Sequence, residues 1–523
     1  MDHLIWMRDN MLINKKNILW ADDEIESLKP HIIFLETKGY NVIPVNSGED
    51  AIDVCSKNKV DILLIDEMMT GLDGLSTVHI IKRTYVDIPI IMVTKNEEEW
   101  LMEEAIGVKI EDFLTKPVNP SQILMACKKV LDKQDINTKK TIKEFISFFN
   151  SINNLEIDNI KDWTSIYSKL CDWSIELDSI EDTSIKNMFF NQREALNSQF
   201  SKFIIANYTG LINDKSIIFS NRVFDNFLLP IINDNRKLVF IIIDCLRLDQ
   251  WKQIAKFLYS SFRIIEDNHL SIIPTATPYA RNSIFSGLFP SEIQSTYPKI
   301  WNKMYSEKKL NHYEDVFFKK MLERNSINSS FHYSKISNYN QGEKFLNRIN
   351  DYKNVDILSI VVNFVDILGH SRSESNILKE LIPNESAYRK SIVNWFEKSW
   401  LRDAMNIFKD WDADIVITSD HGNTQVKKPV VIRADHLASL GLRYKHGRNL
   451  NVNEQNVLKI KKPTDYKLPS FDVNTEYVIS KNNNFFVYKN DYHKYVNMFK
   501  NTFQHGGITM DEMIVPVAHL KSK

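Results

Sequence analysis

The chain has 523 residues, 43% of them hydrophobic and 25% charged, with 66 Lys and Arg against 67 Asp and Glu. This is the composition of a soluble globular protein of about three to four domains, and it excludes a largely disordered chain. The formal net charge of −1 excludes a global attraction to nucleic acid or membrane, so any anion site must be local.

No apolar run approaches the roughly 18 residues a membrane span needs; LVFIII at 238–243 is among the longest. The start, MDHLIWMRDNMLINKKN, lacks a cationic segment followed by a long apolar one, so no signal peptide is read and a cytoplasmic protein is expected. Cys55, Cys127, Cys171 and Cys245 form no C-x-x-C pair and are expected to be reduced thiols.

Residues 1–14 read as an extension. Over 15–132, short β-like runs at Asn17–Trp20, Asn41–Pro44, Asp61–Ile65, Ile88–Val93 and Asp112–Leu114 alternate with helical stretches such as Leu28–Lys38 and Leu75–Thr84. That alternation predicts an α/β, doubly wound parallel sheet with ligands at the carboxyl ends of its strands. Over 133–205, apolar residues at helical spacing (Ile142, Phe145, Phe149; Trp163, Ile166, Tyr167, Leu170; Phe189, Leu196, Phe200) predict a small three-helix bundle. From 206 to 523 the strand–helix pattern returns on a larger scale. LVFIIID at 238–244, VDILSIVVNFVD at 355–366 and ADIVITSD at 413–420 read as buried strands ending in aspartate.

In the first domain, Asp22 and Asp23 follow the first strand and Asp66 ends the third. Three crowded carboxylates need a cation, and an all-oxygen set suits Mg²⁺. Thr94 ends the fourth strand and Lys116 follows the fifth, so a hydroxyl and an ammonium stand ready beside Asp66. These residues resemble a response-regulator receiver domain of the CheY-like fold. The resemblance implies Asp22, Asp23 and Asp66 as Mg²⁺ ligands, Asp66 as phosphoacceptor, Thr94 and Lys116 as switch residues and Phe113 as the switch aromatic. The stretch from Asp66 to Gly74 fits the family's D-x-x-M-P-x-x-D-G except that Thr70 replaces proline, a change expected to touch no ligand. Met68 falls where the family offers a backbone carbonyl to Mg²⁺. Family numbering makes Met11 a candidate initiator.

In the last domain, Asp244, Asp366, Asp420 and His421 close apolar runs, His370 follows Asp366 by four residues, and His505 lies in QHGG. Three Asp and three His are the donors of an open zinc site, and two such metals would polarise a phosphoryl group. PTATPYARNSIFSGLFP at 274–290 offers Thr275 and Thr277 as hydroxyl nucleophiles. The alternative for such a loop is local turn bonding. Thr509 and Glu512 form a structural capping-box pattern, and Cys245 is expected to be a buried neighbour of the site.

This region resembles the PglZ branch of the alkaline phosphatase superfamily. The resemblance selects Thr277 as nucleophile, leaves Thr275 to the turn, and implies one zinc on Asp244, Thr277, Asp420 and His421 and another on Asp366, His370 and His505. A basic stretch, Lys427, Lys428, Arg433, Arg443, Lys445 and Arg448 with His436 and His446 against Asp435, is read as either a solvated loop or a rim for a phosphate-bearing substrate, with Arg443, Lys445, His446 and Arg448 as the binding residues.

Receiver, helical connector and PglZ-type effector in that order resemble the PorX family. The resemblance implies a sensor histidine kinase as partner, regulation of type IX secretion in Bacteroidetes, and a homodimer formed on phosphorylation through the face of the fourth and fifth receiver strands. The first functional reading is a two-zinc phosphodiesterase acting on nucleotide-type diesters. The second is a regulator that binds a sigma factor or secretion component and keeps a vestigial site. A direct DNA-binding output is disfavoured, because no helix-turn-helix replaces the effector.

Overall fold

The computed structural model describes residues 15–95, 110–131, 133–153, 155, 157–434, 439 and 441–523. The expected extension at 1–14, with Met11, and the residues Asp435 and His436 lie outside the described residues. Two compact units make up the chain, Met1–Ser147 and Phe148–Lys523.

In the first unit, strands β1 (Asn17–Ala21), β2 (Asn41–Val45), β3 (Ile62–Asp66), β4 (Ile90–Thr94) and β5 (Asp112–Thr115) form a sheet in the order β2-β1-β3-β4-β5, all neighbours parallel. Period-2 alternation sends Ile18, Trp20, Ile62 and Leu64 to one face, against Ile123 and Cys127 of helix Pro120–Leu131. Leu19, Leu63, Ile65 and Met92 go to the other, against Ala51 and Cys55 of helix Gly48–Lys57 and Val78 and Ile81 of helix Gly74–Thr84. Both faces are therefore buried, which is why these strands read as continuous apolar runs. Ser47 and Asp73 cap the last two helices by accepting from Asp50 N and Ser76 N.

Helices run over Lys133–Asn153, Ile160–Glu176 and Thr183–Leu211, the last beyond the boundary expected at 205. The second and third are not a separate bundle. They share a compact unit with the C-terminal domain, where Arg389 reaches Asp178 Oδ2 at 2.8 Å and Tyr167 donates to Asp511 Oδ1 at 3.0 Å. Trp163 packs edge-on against Phe200 between them, ring centroids 5.4 Å apart.

The C-terminal sheet contains β6 (Lys237–Ile243), β7 (Phe262–Leu270), β8 (Phe331–Ile336), β9 (Ile357–Val362), β10 (Ala413–Thr418) and β11 (Ile514–Ser522), in the order β7-β11-β10-β6-β9-β8. The run β10-β6-β9-β8 is parallel, whereas β11 pairs antiparallel with both β10 and β7. β6, β9 and β10 therefore lie side by side and end at one edge, the place where open α/β sheets build sites. Phe240, Ile242, Ile284, Phe285, Phe317 and Phe318 fill the core beneath that edge.

Candidate active site and receiver acid cluster

In the first unit, Asp22, Asp23 and Asp66 bring ligand oxygens within 4.8 Å of one another. Lys116 Nζ bridges two of them, 2.9 Å from Asp22 Oδ2 and 2.7 Å from Asp66 Oδ2. Burial raises the Asp66 carboxyl; Lys116 opposes that shift, and Asp22 and Asp23 add to it. One ammonium does not balance three carboxylates, so the donor set fits a small divalent cation. Thr94 Oγ1 donates to Glu67 Oε2. Phe113 pairs in register with Met92, and Met68 is exposed. Gly74 is obligatory, since a Cβ there would sit 2.2 Å from Asp66 O. The expectation that Thr70 touches no ligand is corrected. Its backbone N–H, which proline would lack, donates to Asp23 Oδ2 at 3.3 Å.

In the second unit, Asp244 directly follows β6, and Asp420 and His421 follow β10. Asp366 does not end a strand, as expected from the sequence. β9 stops at Val362, and Asp366 lies in the first turn of helix Phe364–Glu374. The four-residue spacing to His370 thus puts both on one helix face. Thr277 is the first residue of helix Thr277–Ser286. His505 follows the short strand Phe503–Gln504, which pairs with Thr424–Gln425 just downstream of His421.

These elements bring two ligand clusters together. Asp244, Asp420 and His421 form one trio and Asp366, His370 and His505 another, the candidate ligand atoms of each within 4.8 Å. The rings of His421 and His505 stack at 4.3 Å and join the two. Thr277 Oγ1 lies 3.0 Å from His421 Nε2 and 3.5 Å from Asp244 Oδ1. It opens onto a cleft of about 490 Å³ shared with Asp366, His370, His505, Asn311 and Tyr444.

Burial pushes the carboxyls of Asp244 and Asp420 up, against the attraction of Arg281. Burial also pulls His421 down and His505 down to about 3, so both rings are neutral and able to ligate at pH 7. Burial would raise Asp366 too, but the hydrogen bond from His370 outweighs it and holds the carboxyl below the usual carboxylate range. Asp420 Oδ1 accepts from Cys245 N and His421 N at 3.2 and 3.1 Å. Its buried Oδ2 meets no hydrogen-bond donor among the described residues. Arg281 Nε stands 3.7 Å from it, too far for a hydrogen bond, and a buried oxygen left without one, in a set of Asp, His and Thr donors, fits a bound zinc ion.

Sequence reasoning missed Arg281. It is buried, with NH1 3.1 Å from Asp244 Oδ2 and Nε 2.8 Å from Glu314 Oε1, and it neutralises part of the first trio. Its position four residues after Thr277, one helical turn on, was the available signal.

Thr275 is not bonded within a turn. Its hydroxyl donates to Gly507 O at 2.8 Å and accepts from Gly506 N at 3.2 Å, tying down the loop of His505. Thr509 caps helix Met510–Met513 as expected, its hydroxyl donating to Glu512 Oε2 at 2.8 Å, and the Glu512 carboxylate also accepts from Gly507 N and Arg443. Cys245 is buried, with φ of 67°, and Asn423 Nδ2 lies 3.3 Å from its sulfur. Burial pushes its thiol well up, which leaves it inert.

The basic rim is also corrected. Arg443 is 0% exposed and forks onto Glu512. Lys445 is buried and donates to Ser439 O at 2.9 Å, and His446 stacks on Phe471 at 4.7 Å. Arg448 pairs with Asp472 at 2.9 Å. Arg443, just before the strand Tyr444–Gly447, and Lys445 within it both turn inward, and lone positive charges in a sequence do not reveal their buried partners. Lys427 Nζ sits over the Phe190 ring at 3.1 Å from its centroid.

Comparison with known proteins matches three family models: the response regulator receiver domain over residues 18–128, the PorX response regulator linker domain over 135–212, and the BREX system PglZ alkaline phosphatase-like domain over 223–520. These define a two-component response regulator with a phosphatase-like effector. The chain belongs to the PglZ alkaline phosphatase-like family, in the receiver–linker–effector order of PorX-like regulators.

The heme response regulator HssR of Staphylococcus haemolyticus is 34% identical over 125 residues, 24% of this chain and 55% of that protein. The alkaline phosphatase synthesis transcriptional regulatory protein PhoP of Bacillus subtilis is 32% identical over 127 residues, 24% of this chain and 51% of that one. The chain thus spans about half the length of these curated relatives. A crystal structure of a CheY-like receiver domain protein from Methanospirillum hungatei covers 24% of this chain and 99% of its own, at 22% identity and a TM-score of 0.23.

Proposed function

We propose that the C-terminal domain is a two-zinc phosphodiesterase/phosphatase with Thr277 as nucleophile, and that phosphorylation of Asp66, with Mg²⁺ on Asp22, Asp23 and Asp66, controls it. The observation that carries this reading is the place of the Thr277 hydroxyl, between Asp244 and His421 and facing Asp366, His370 and His505 across one cleft. Zinc held by Asp244, Thr277, Asp420 and His421, and by Asp366, His370 and His505, would lower the hydroxyl's pKa and offset charge on the phosphoryl group. Thr277 Oγ1 gives up its proton to solvent water and attacks phosphorus, the P–O ester bond breaks, the leaving oxygen takes a proton from water, and a phosphothreonine forms. Water then attacks that phosphorus and Oγ1 departs, so one water is consumed per ester bond cleaved. Arg281 holds Asp244 in place from the protein side.

Nucleotide-type diesters are the proposed substrates. With Arg443 and Lys445 turned inward, support comes from the cleft wall of Leu442, Tyr444, Met498 and Phe499, an apolar and aromatic surface suited to a base.

A sensor histidine kinase is the proposed phosphodonor, a sigma factor or secretion component the downstream partner, and control of type IX secretion in the cytoplasm the role. The linker match and the receiver support this; among the described residues no helix is long and apolar enough to cross a membrane. Metal analysis of the purified protein with turnover of a chromogenic diester and monoester tests the reading. Zinc absent and both rates at background would leave a regulator that acts by binding alone.

A further inference from the structure

Helix Thr183–Leu211 belongs to the linker, yet one of its faces is built into the effector. Arg193, Asn197 and Ser201 are spaced four residues apart, so they line one stripe of the helix. All three reach the segment that follows His505. Arg193 NH2 donates to Asp511 Oδ1 at 2.6 Å, Asn197 Oδ1 accepts from Met510 N at 2.9 Å, and Ser201 Oγ donates to Ile508 O at 2.8 Å. Asn197 and Ser201 are buried, and the Arg193 side chain is 11% exposed.

The gripped segment touches both ligand clusters. Glu512 Oε1 accepts from Gly507 N at 2.8 Å, two residues from His505. Glu512 O accepts from Gly422 N at 3.1 Å, one residue from His421. The approach is close enough that a Cβ on Gly422 would lie 1.9 Å from Asp511 O. Moving residues 508–512 therefore has to move the backbone that carries both histidines.

We propose that Arg193, Asn197 and Ser201 of the linker are positioning residues for the effector site: they hold 508–511 and through it set His505 against Asp366 and His370. This rests on the reading of those three as metal ligands. Partners behind metal ligands typically change affinity by about 10–100-fold when removed. The linker is then part of the metal site's support, and a shift of its helix changes the site without any new contact to substrate.

The test is a cobalt(II) titration of metal-free, full-length protein followed by visible absorption. Wild type is expected to take up two ions. Asn197→Leu, which keeps side-chain volume but removes the acceptor for Met510 N, should bind both ions more weakly, the one on Asp366, His370 and His505 by at least about 10-fold and with an altered band shape, while Gln199→Ala on the exposed side of the helix titrates normally. Should Asn197→Leu unfold by circular dichroism, Ser201→Ala removes only one hydroxyl and is read the same way, with a shift of about 3-fold or more. Two ions bound by the readable variant with wild-type affinity and spectrum would overturn the positioning role alone. No cobalt on wild type would overturn the metal reading beneath it.

Discussion

His370 Nε2 and His505 Nε2 face each other at 3.3 Å, and Asp366 Oδ1 lies 3.4 Å from the first and 3.5 Å from the second. Three donor atoms converging on one point, with His505 held neutral by burial, make a socket for a cation.

Emptying that socket should destabilise the fold. A chelator leaves Asp244, Asp366 and Asp420 facing one another, with Arg281 the one arginine or lysine among the described residues that pairs with Asp244 and Asp420, so the melting temperature of the C-terminal unit should fall. His505→Ala should lower zinc from two ions per chain to one. Calorimetry with and without chelator, beside metal analysis, checks both; an unchanged melting curve and full zinc in His505→Ala would remove His505 from the site.

Thr275→Val should cost more than a turn residue would. Valine keeps the β-branched shape but leaves Gly506 N and Gly507 O without the buried hydroxyl they share, a loss of about 1–3 kcal/mol. The variant should melt earlier and hold its zinc more weakly, while keeping more activity than Thr277→Val. Wild-type stability and zinc affinity would show that the loop does not depend on this hydroxyl.

Acid should loosen the junction of linker and effector. Burial raises Glu385, but Arg193 and Arg247 outweigh it and hold the carboxyl down at about 2. Arg247 and Arg389 likewise hold Asp249 below its usual range. Both folded-state values lie below the unfolded ones of about 4. Their stabilisation is therefore complete above about pH 5 and is lost as pH falls from there toward 2. Melting temperatures should drop steeply over that window, and Glu385→Gln should be less stable at neutral pH with a flatter acid limb. Parallel acid limbs in the two proteins would assign the loss elsewhere.

The receiver should accept a phosphoryl group from a small-molecule phosphodonor with Mg²⁺, and Asp66→Ala should not. Phosphorylation converts the Asp66 carboxylate to an acyl phosphate and moves its negative charge onto the phosphoryl oxygens, so the ammonium of Lys116, which bridges Asp22 and Asp66, must shift its pairing. Light scattering should then show a shift from monomer toward dimer. Equal labelling of Asp66→Ala would displace the acceptor, and an unchanged mass on phosphorylation would count against the dimer switch.

Most of this site could be read from the chain because its donors sit where strands end, and strand ends are marked by the close of apolar runs, as at Asp66, Asp244 and Asp420. The sequence puts Asp366 at a strand end because only Asn363 separates the end of β9 from helix Phe364–Glu374, so apolar character runs on across the junction. Arg443 and Lys445 were placed on a rim because a sequence gives the sign of a charge and not its partner; Glu512, 69 residues away, became visible only in space. The same holds for Thr275 and for the linker stripe, whose contacts join residues more than 200 apart in the chain.

The claim that Thr277 carries the chemistry is tested most directly by turnover of a chromogenic phosphodiester by zinc-loaded wild type and Thr277→Val. Valine keeps the shape of the helix start and the six Asp and His donors remain, so zinc should largely stay. Loss of a nucleophile that acts within a unit should lower the rate by about three orders of magnitude or more. A Thr277→Val protein that retains its zinc and turns the diester over at the wild-type rate would contradict the covalent mechanism.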